Sequence, residues 1–153
     1  RLATESEKKA LGITWEDDPV PVDEKFYCPD GTAKKLTDTD SVDENGDPIL
    51  DANGKQIVIL GVKSILKQEE KQIASSLLSM YDWYVVRKAE KGTAIPSEIE
   101  TFRDGVRTAC DTREKEIDAC ADTAALITLY GSTEQSDKTS KPNMTQYPID
   151  PNI

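Results

Sequence analysis

The sequence predicts an α+β fold: an N-terminal extended and β-hairpin region, an antiparallel helical hairpin of two long helices with shorter helices beside it, and an extended C-terminal arm. Three observations predict it. The pairs Asn45-Gly46 and Asn53-Gly54 are strong signals for tight turns. Apolar residues recur at helical spacing from Val62 to Tyr84 and again from Ile99 to Ile117. Residues 132–153 are polar and carry Pro142, Pro148 and Pro151, a composition that forms an arm rather than a domain. The chain accordingly divides into 1–61, 62–131 and 132–153. No internal repeat is read in it.

The N-terminal region begins with a capping box, Thr4 to Glu7, and a short helix ending at Gly12. Two helical turns cannot stand alone, so Leu2, Leu11 and Ile13 are expected to dock on the body. Trp15 leads into an acidic connector, Glu16 to Val22, whose Pro19 and Pro21 favour an extended path. Lys25 to Cys28 reads as a short strand closed by the turn Pro29-Asp30-Gly31. Asp47 to Leu50 and Gln56 to Leu60 are the expected hairpin arms around Asn53-Gly54.

In the helical region, Val62, Ile65, Leu66, Ile73, Leu77, Met80, Tyr81 and Tyr84 define one stripe, with Lys67, Glu70, Lys71 and Ser75 pointing away. Asp82 is expected to cap a short helix that Gly92 ends, and Trp83 to be buried as the anchor of a bend made unavoidable by Pro96. Ser97 and Glu100 have capping-box spacing and open the second long helix, about 98–121. Its stripe is Ile99, Phe102, Val106, Ala109, Cys110, Arg113 and Ile117. A third helix, capped by Asp122 and ended by Gly131, contributes Ala125, Leu126, Leu129 and Tyr130. In the arm, Tyr147, Pro148, Ile149, Pro151 and Ile153 are apolar on a segment unable to fold alone, so they are expected to reach outward to a partner, as is the Trp15–Val22 connector.

Composition narrows function. Of 153 residues, 37% are hydrophobic, so the core must be concentrated. The net charge of −10 repels nucleic acid and anionic membranes, and neither is an expected partner. No apolar run is long enough for a membrane span. Histidine is absent, which removes the commonest general base and metal ligand. Cys110 and Cys120 are ten residues apart on one helix, roughly 15 Å along its axis, too far for a disulfide. Together with Cys28 they read as reduced thiols made in a cytoplasm, the two helical ones as small core residues.

No catalytic residue, cofactor-binding set or metal site is expected. Asp111, Glu114, Glu116 and Asp118 interleave with Arg107, Arg113 and Lys115, the pattern of a solvated face. Neither GxGxxG nor GxxxxGK[ST] occurs. Asp43, Asn45 and Asp47 imitate the start of a calcium loop, but Gly54 stands where the twelfth-position glutamate belongs. Arg103 and Arg107 are read as forming salt bridges to Asp82, Glu98 or Glu100 in preference to stacking near Trp83 or holding a partner's carboxylate.

An Asp-Trp pair after an amphipathic helix, then a bend, then an aromatic-Arg pair with a second Arg four residues on, resembles tail-associated bacteriophage proteins. Here these are Asp82-Trp83, Phe102-Arg103 and Arg107. Phage tail-fibre assembly proteins carry a related Asp-Trp…Tyr-Arg arrangement. The longer form, with Arg87-Lys88-Ala89-Glu90, Gly92 to Pro96 and Val106 to Ala109, is similar to small tail or fibre proteins of phages infecting cyanobacteria, and the closing Met144 to Asn152 fits the same pattern. The resemblance covers 62–153, with a looser match at Leu11-Gly12-Ile13 and Phe26-Tyr27. It implies a structural component of the virion, in the tail or tail-fibre apparatus, made in the host cytoplasm and acting by protein–protein binding without enzymatic activity. Other tail or fibre proteins are the implied partners, with several copies or a homo-oligomer in the particle. An assembly chaperone not retained in the particle is the alternative, and a calcium-binding module a remote one. The hairpin at 42–60 departs from the short assembly proteins and favours the virion component.

Overall fold

The computed structural model describes residues 4–12 and 23–152. The expectations placed on Leu2, Ile13, the Trp15–Val22 connector and Ile153 lie outside the described residues.

Helix α1, Glu5–Ala10, forms with its capping box intact, the Thr4 side chain accepting the Glu7 N–H while Glu7 reaches back. Leu11 does not dock: it is exposed, so the cap rather than burial holds this turn. Residues 25–28 make one bridge, Tyr27 to Ala33, in place of a strand. What fixes this segment is Phe26, buried edge-on against Tyr130 at 6.1 Å.

Residues 39–59 hold a repeat that corrects the reading of the sequence. Asp43-Glu44-Asn45-Gly46 and Asp51-Ala52-Asn53-Gly54 are eight residues apart and build the same turn. In each, one Asp Oδ1 accepts backbone N–H groups two and four residues on: Asn45 and Asp47 at 2.8 and 2.9 Å, Asn53 and Lys55 at 2.8 and 2.9 Å. Gly46 and Gly54 take the left-handed conformation at φ +88° and +78°. Strands β1, Thr39–Asp40, and β2, Val58–Ile59, pair antiparallel and close the unit. The Ser41 N–H donates to Ile57, Ile49 to Ser41, and Ile57 to Ile49, each at 2.9 Å. These bonds form a ring. The bridges Val42–Pro48, Leu50–Gln56 and Asp40–Val58 are three equivalent sides of a β-triangle with an approximate threefold axis.

Helix α2, Val62–Ser79, starts where the Val62 and Lys63 amides bond the Lys35 and Leu36 carbonyls. Gly61 is required there, since a Cβ would lie 2.4 Å from the Thr37 backbone. Helix α3, Asp82–Lys91, ends at Gly92 with φ +67°, as its sequence predicts. Helix α4, Ser97–Ala119, runs antiparallel to α2, as the pairs Lys67–Asp118, Glu70–Arg113 and Leu78–Arg103 record. Two expected caps do not form. Asp82 lies in the first turn of α3 and pairs with Arg103 instead, and Ser97 makes no side-chain cap, the Glu100 N–H being taken by the Pro96 carbonyl. Helix α5, Thr123–Tyr130, is capped by Asp122 through the Ala125 N–H at 2.8 Å.

The core lies in two clusters. Phe26, Val62, Leu66, Ile117, Cys120, Leu126 and Met144 form one; Ala74, Tyr81, Ile99, Phe102, Val106 and Cys110 form the other. The stripe on α2 is therefore rotated from the expected one. It follows the i+4 series Val62, Leu66, Glu70, Ala74, while Ile65, Ile73 and Met80 are exposed. Glu70 is buried, not outward.

The C-terminal segment is not an outward arm. Strands β3, Ser132–Glu134, and β4, Ser140–Pro142, form a hairpin, after which the chain returns as a strap along the helical body. Met144 is buried in the first cluster and Tyr147 packs on the second. Pro148 lies against Gly105, where an added Cβ would come within 3.2 Å of it. Of the apolar residues expected to reach a partner, Tyr147 and Pro148 are spent on this chain's own helices; Ile149 and Pro151 are exposed. An extended chain needs an apolar contact only every few residues to lie in a groove between helices, so low hydrophobicity did not keep the strap off the body.

Candidate functional site

Two groups of side chains stand out, one inside the molecule and one on its surface. Inside, Glu70 and Arg113 face each other from the middle of two otherwise apolar stripes, between the two core clusters. Arg113 donates in bidentate fashion, Nε to Oε2 at 2.6 Å and Nη2 to Oε1 at 2.9 Å, and Glu70 is 1% exposed. The Tyr130 hydroxyl donates to the same carboxylate at 3.2 Å, and the Tyr147 hydroxyl lies 3.1 Å from the Glu70 carbonyl. The remaining Arg113 Nη1 donates to the Thr145 carbonyl, and Thr145 is held in turn by Glu116 through its N–H at 3.0 Å. Burial pushes the Glu70 carboxyl up, but Arg113 and the two tyrosine hydroxyls outweigh it and leave it below the ordinary carboxylate value. Burial and the nearby Glu70 raise both tyrosines. Every partner of Glu70 is thus a donor to its ionised form, which is the arrangement of a structural lock on the strap rather than of an acid or base.

Sequence reasoning missed Glu70, although a signal was present: it sits four residues from both Leu66 and Ala74, opposite Arg113 on the partner stripe.

On the surface, the bend residues separate. Asp82, Arg103 and Arg107 line one open groove of about 500 Å³ with Lys71, Ala74 and Glu114. Arg103 is only 8% exposed; it donates to the Leu78 carbonyl at 2.8 Å and pairs with Asp82 at 2.9 Å, so the salt-bridge reading holds for it. Arg107 pairs with Asp104 at 3.0 Å, a partner the sequence did not point to. Phe102 is core, edge-on to Tyr81 at 5.4 Å. Tyr81 carries the other end of the strap, its hydroxyl bonded to Asp150 and accepting from Asn152 Nδ2 at 2.6 Å.

Trp83 corrects the expectation of a buried anchor: it is 52% exposed. The bend is held by Arg103 and Tyr81, which frees the indole. Trp83 stacks on Tyr84 with ring centroids 3.8 Å apart, and the Arg87 guanidinium lies 4.7 Å above the indole. Val86, three residues on, is exposed on the same face; Val85 is exposed on the other side of the helix, and no residue of α3 is buried. The result is an aromatic, valine and arginine surface on a helix that touches the second core cluster through the half-buried Tyr84.

Among the described residues, no group of three or more His, Cys, Asp or Glu is placed to hold a metal ion. Asp43, which opens the calcium-like pattern Asp43, Asn45 and Asp47, holds its turn, as Asp51 holds the next, and the backbone donors keep both carboxyls below the usual range. No described helix is long and apolar enough to cross a membrane. No family model, curated protein sequence or solved structure matches the chain.

Proposed function

We propose that the chain is a structural, protein-binding component of a bacteriophage particle, in the tail or tail-fibre apparatus, and that α3 is the surface it binds with. The single observation that carries the binding role is that α3 buries none of its residues while exposing Trp83 and Val86 on one face, with Tyr84 and Arg87 alongside. Trp, Tyr and Arg are the side chains that most often dominate interface energy, and an exposed apolar cluster of this kind on a folded body marks an interaction site. The phage assignment rests on the resemblance carried by Asp82-Trp83, Phe102-Arg103 and Arg107.

Mass spectrometry of purified particles from the phage encoding the chain tests this directly. The reading expects the chain at fixed stoichiometry, with Trp83→Ala folding normally and being lost from particles. Absence from particles, with binding to unassembled fibre protein, assigns the chaperone role instead. Normal incorporation of Trp83→Ala removes α3 as the interface.

A further inference from the structure

The β-triangle carries a second surface, independent of α3 and of the phage reading. Paired residues of an antiparallel ladder share a face, so Val42 with Pro48, Leu50 with Gln56, and Val58 with Asp40 lie on one side. Each of the three equivalent positions there is a bare aliphatic side chain: Val42, Leu50 and Val58 are 53, 53 and 43% exposed. The Gln56 side chain reaches across to the neighbouring strand, where its Nε2 donates to the Ser41 carbonyl at 2.7 Å. The opposite side lacks this equivalence, since Ser41 stands where Ile49 and Ile57 are its counterparts.

Charge surrounds the apolar trio. Residues 38–57 hold the acids Asp38, Asp40, Asp43, Glu44, Asp47 and Asp51 against the single base Lys55. Each corner of the triangle carries at least one of these carboxylates. Two such faces repel each other, which disfavours a second copy as the occupant. An apolar patch within an acidic rim is complemented by an apolar patch within a basic one. Three near-equivalent contacts around one axis are matched in the same way at all three positions by a surface with the same symmetry.

We propose that the Val42, Leu50 and Val58 face docks on the end of a threefold-symmetric protein, whose apolar centre is ringed by Lys or Arg side chains. Binding of one chain then occupies three identical subunits.

The test uses the full chain with a benzophenone amino acid in place of Leu50, photo-cross-linked in the cells that produce it. The cross-linked protein is identified, purified and mixed with unmodified chain for native mass spectrometry. The expected complex has one copy of this chain per three partner subunits. Its affinity should fall by about tenfold or more between 50 and 500 mM salt, as screened charge complementarity requires. The triple variant Val42→Ser, Leu50→Ser, Val58→Ser should abolish binding while the Ser41, Ile49 and Ile57 amides stay protected from exchange. Should the triple variant lose that protection, Asp40→Lys with Glu44→Lys, which spares Asp43 and Asp51, should weaken binding at low salt. A partner bound one to one, a cross-link only to a second copy of this chain, no cross-link at all, or unchanged binding by a folded variant overturns the proposal.

Discussion

The helical body and the β-triangle hold their shape by different means. In the body, α2 and α4 bury apolar stripes against each other and against the strap, and a buried ion pair fixes their register. In the triangle, Val42, Leu50, Val58 and Ile59 are all exposed, and shape comes from turns in which one aspartate oxygen takes two backbone N–H groups. One region is stabilised by removing surface from water, the other by backbone hydrogen bonds that remain near water. Their responses to substitution should differ accordingly, and four expectations, two drawn from Glu70, set the regions against each other.

The largest effect belongs to the body. Glu70→Ala leaves Arg113 buried without its carboxylate and frees the Tyr130 hydroxyl, a loss of about 3–5 kcal/mol measurable by urea denaturation. A loss under about 1 kcal/mol would show that the ion pair is ornamental and that apolar packing alone sets the register. Acid gives the same answer without mutation. Glu70 has a folded-state pKa below its ordinary 4.5, so its stabilising contribution is complete above that value and is lost as pH falls through the lower one. Thermal midpoints should therefore drop below about pH 4.5, and Glu70→Gln should flatten that dependence.

How far the sequence carried depended on the physics of each part. The helices themselves and the packed stripe of α4 were legible, because 3.6-residue periodicity reports burial, and Gly92 and Asp122 act as local signals. The α2 stripe expected from the sequence is rotated from its true face, and the Asp82 and Ser97 caps do not form. Glu70 was not legible, because a charged residue in isolation reads as outward; only its pairing with Arg113, 43 positions away, makes it a core residue. Trp83 was misplaced because size argues for burial while the bend had already been secured by Arg103. The eight-residue repeat was visible as Asp-x-Asn-Gly at 43–46 and 51–54, but its third side is closed by β1 and β2, which carry no such signature.

A middle-sized effect tests whether the strap is part of the body. Met144 sits in the first cluster with Leu66, Ile117 and Leu126, and Met144→Ala should cost about 2–3 kcal/mol, toward the low end for such truncations because a flexible side chain leaves neighbours that can close in. The helical circular dichroism signal should melt earlier and in one step. Were the strap a loose arm, as its composition alone implies, the midpoint would not move.

The smallest effect belongs to the triangle, and it probes the repeat itself. Gly46 and Gly54 both occupy the left-handed region with open space around them, so alanine meets no clash and suffers only backbone strain, about 1–2 kcal/mol. If the two turns are equivalent, Gly46→Ala and Gly54→Ala should cost the same to within about 0.5 kcal/mol. The cost should also stay local, because the triangle shares no apolar cluster with α2 and α4. The Asp47 amide in the first variant and the Lys55 amide in the second, each bonded to its aspartate at 2.9 Å, should exchange about 5–30 times faster, while the helical melt is unchanged. A single cooperative loss of both signals would mean that the turns and the helices stabilise one another, and the contrast between the two regions would be one of appearance only.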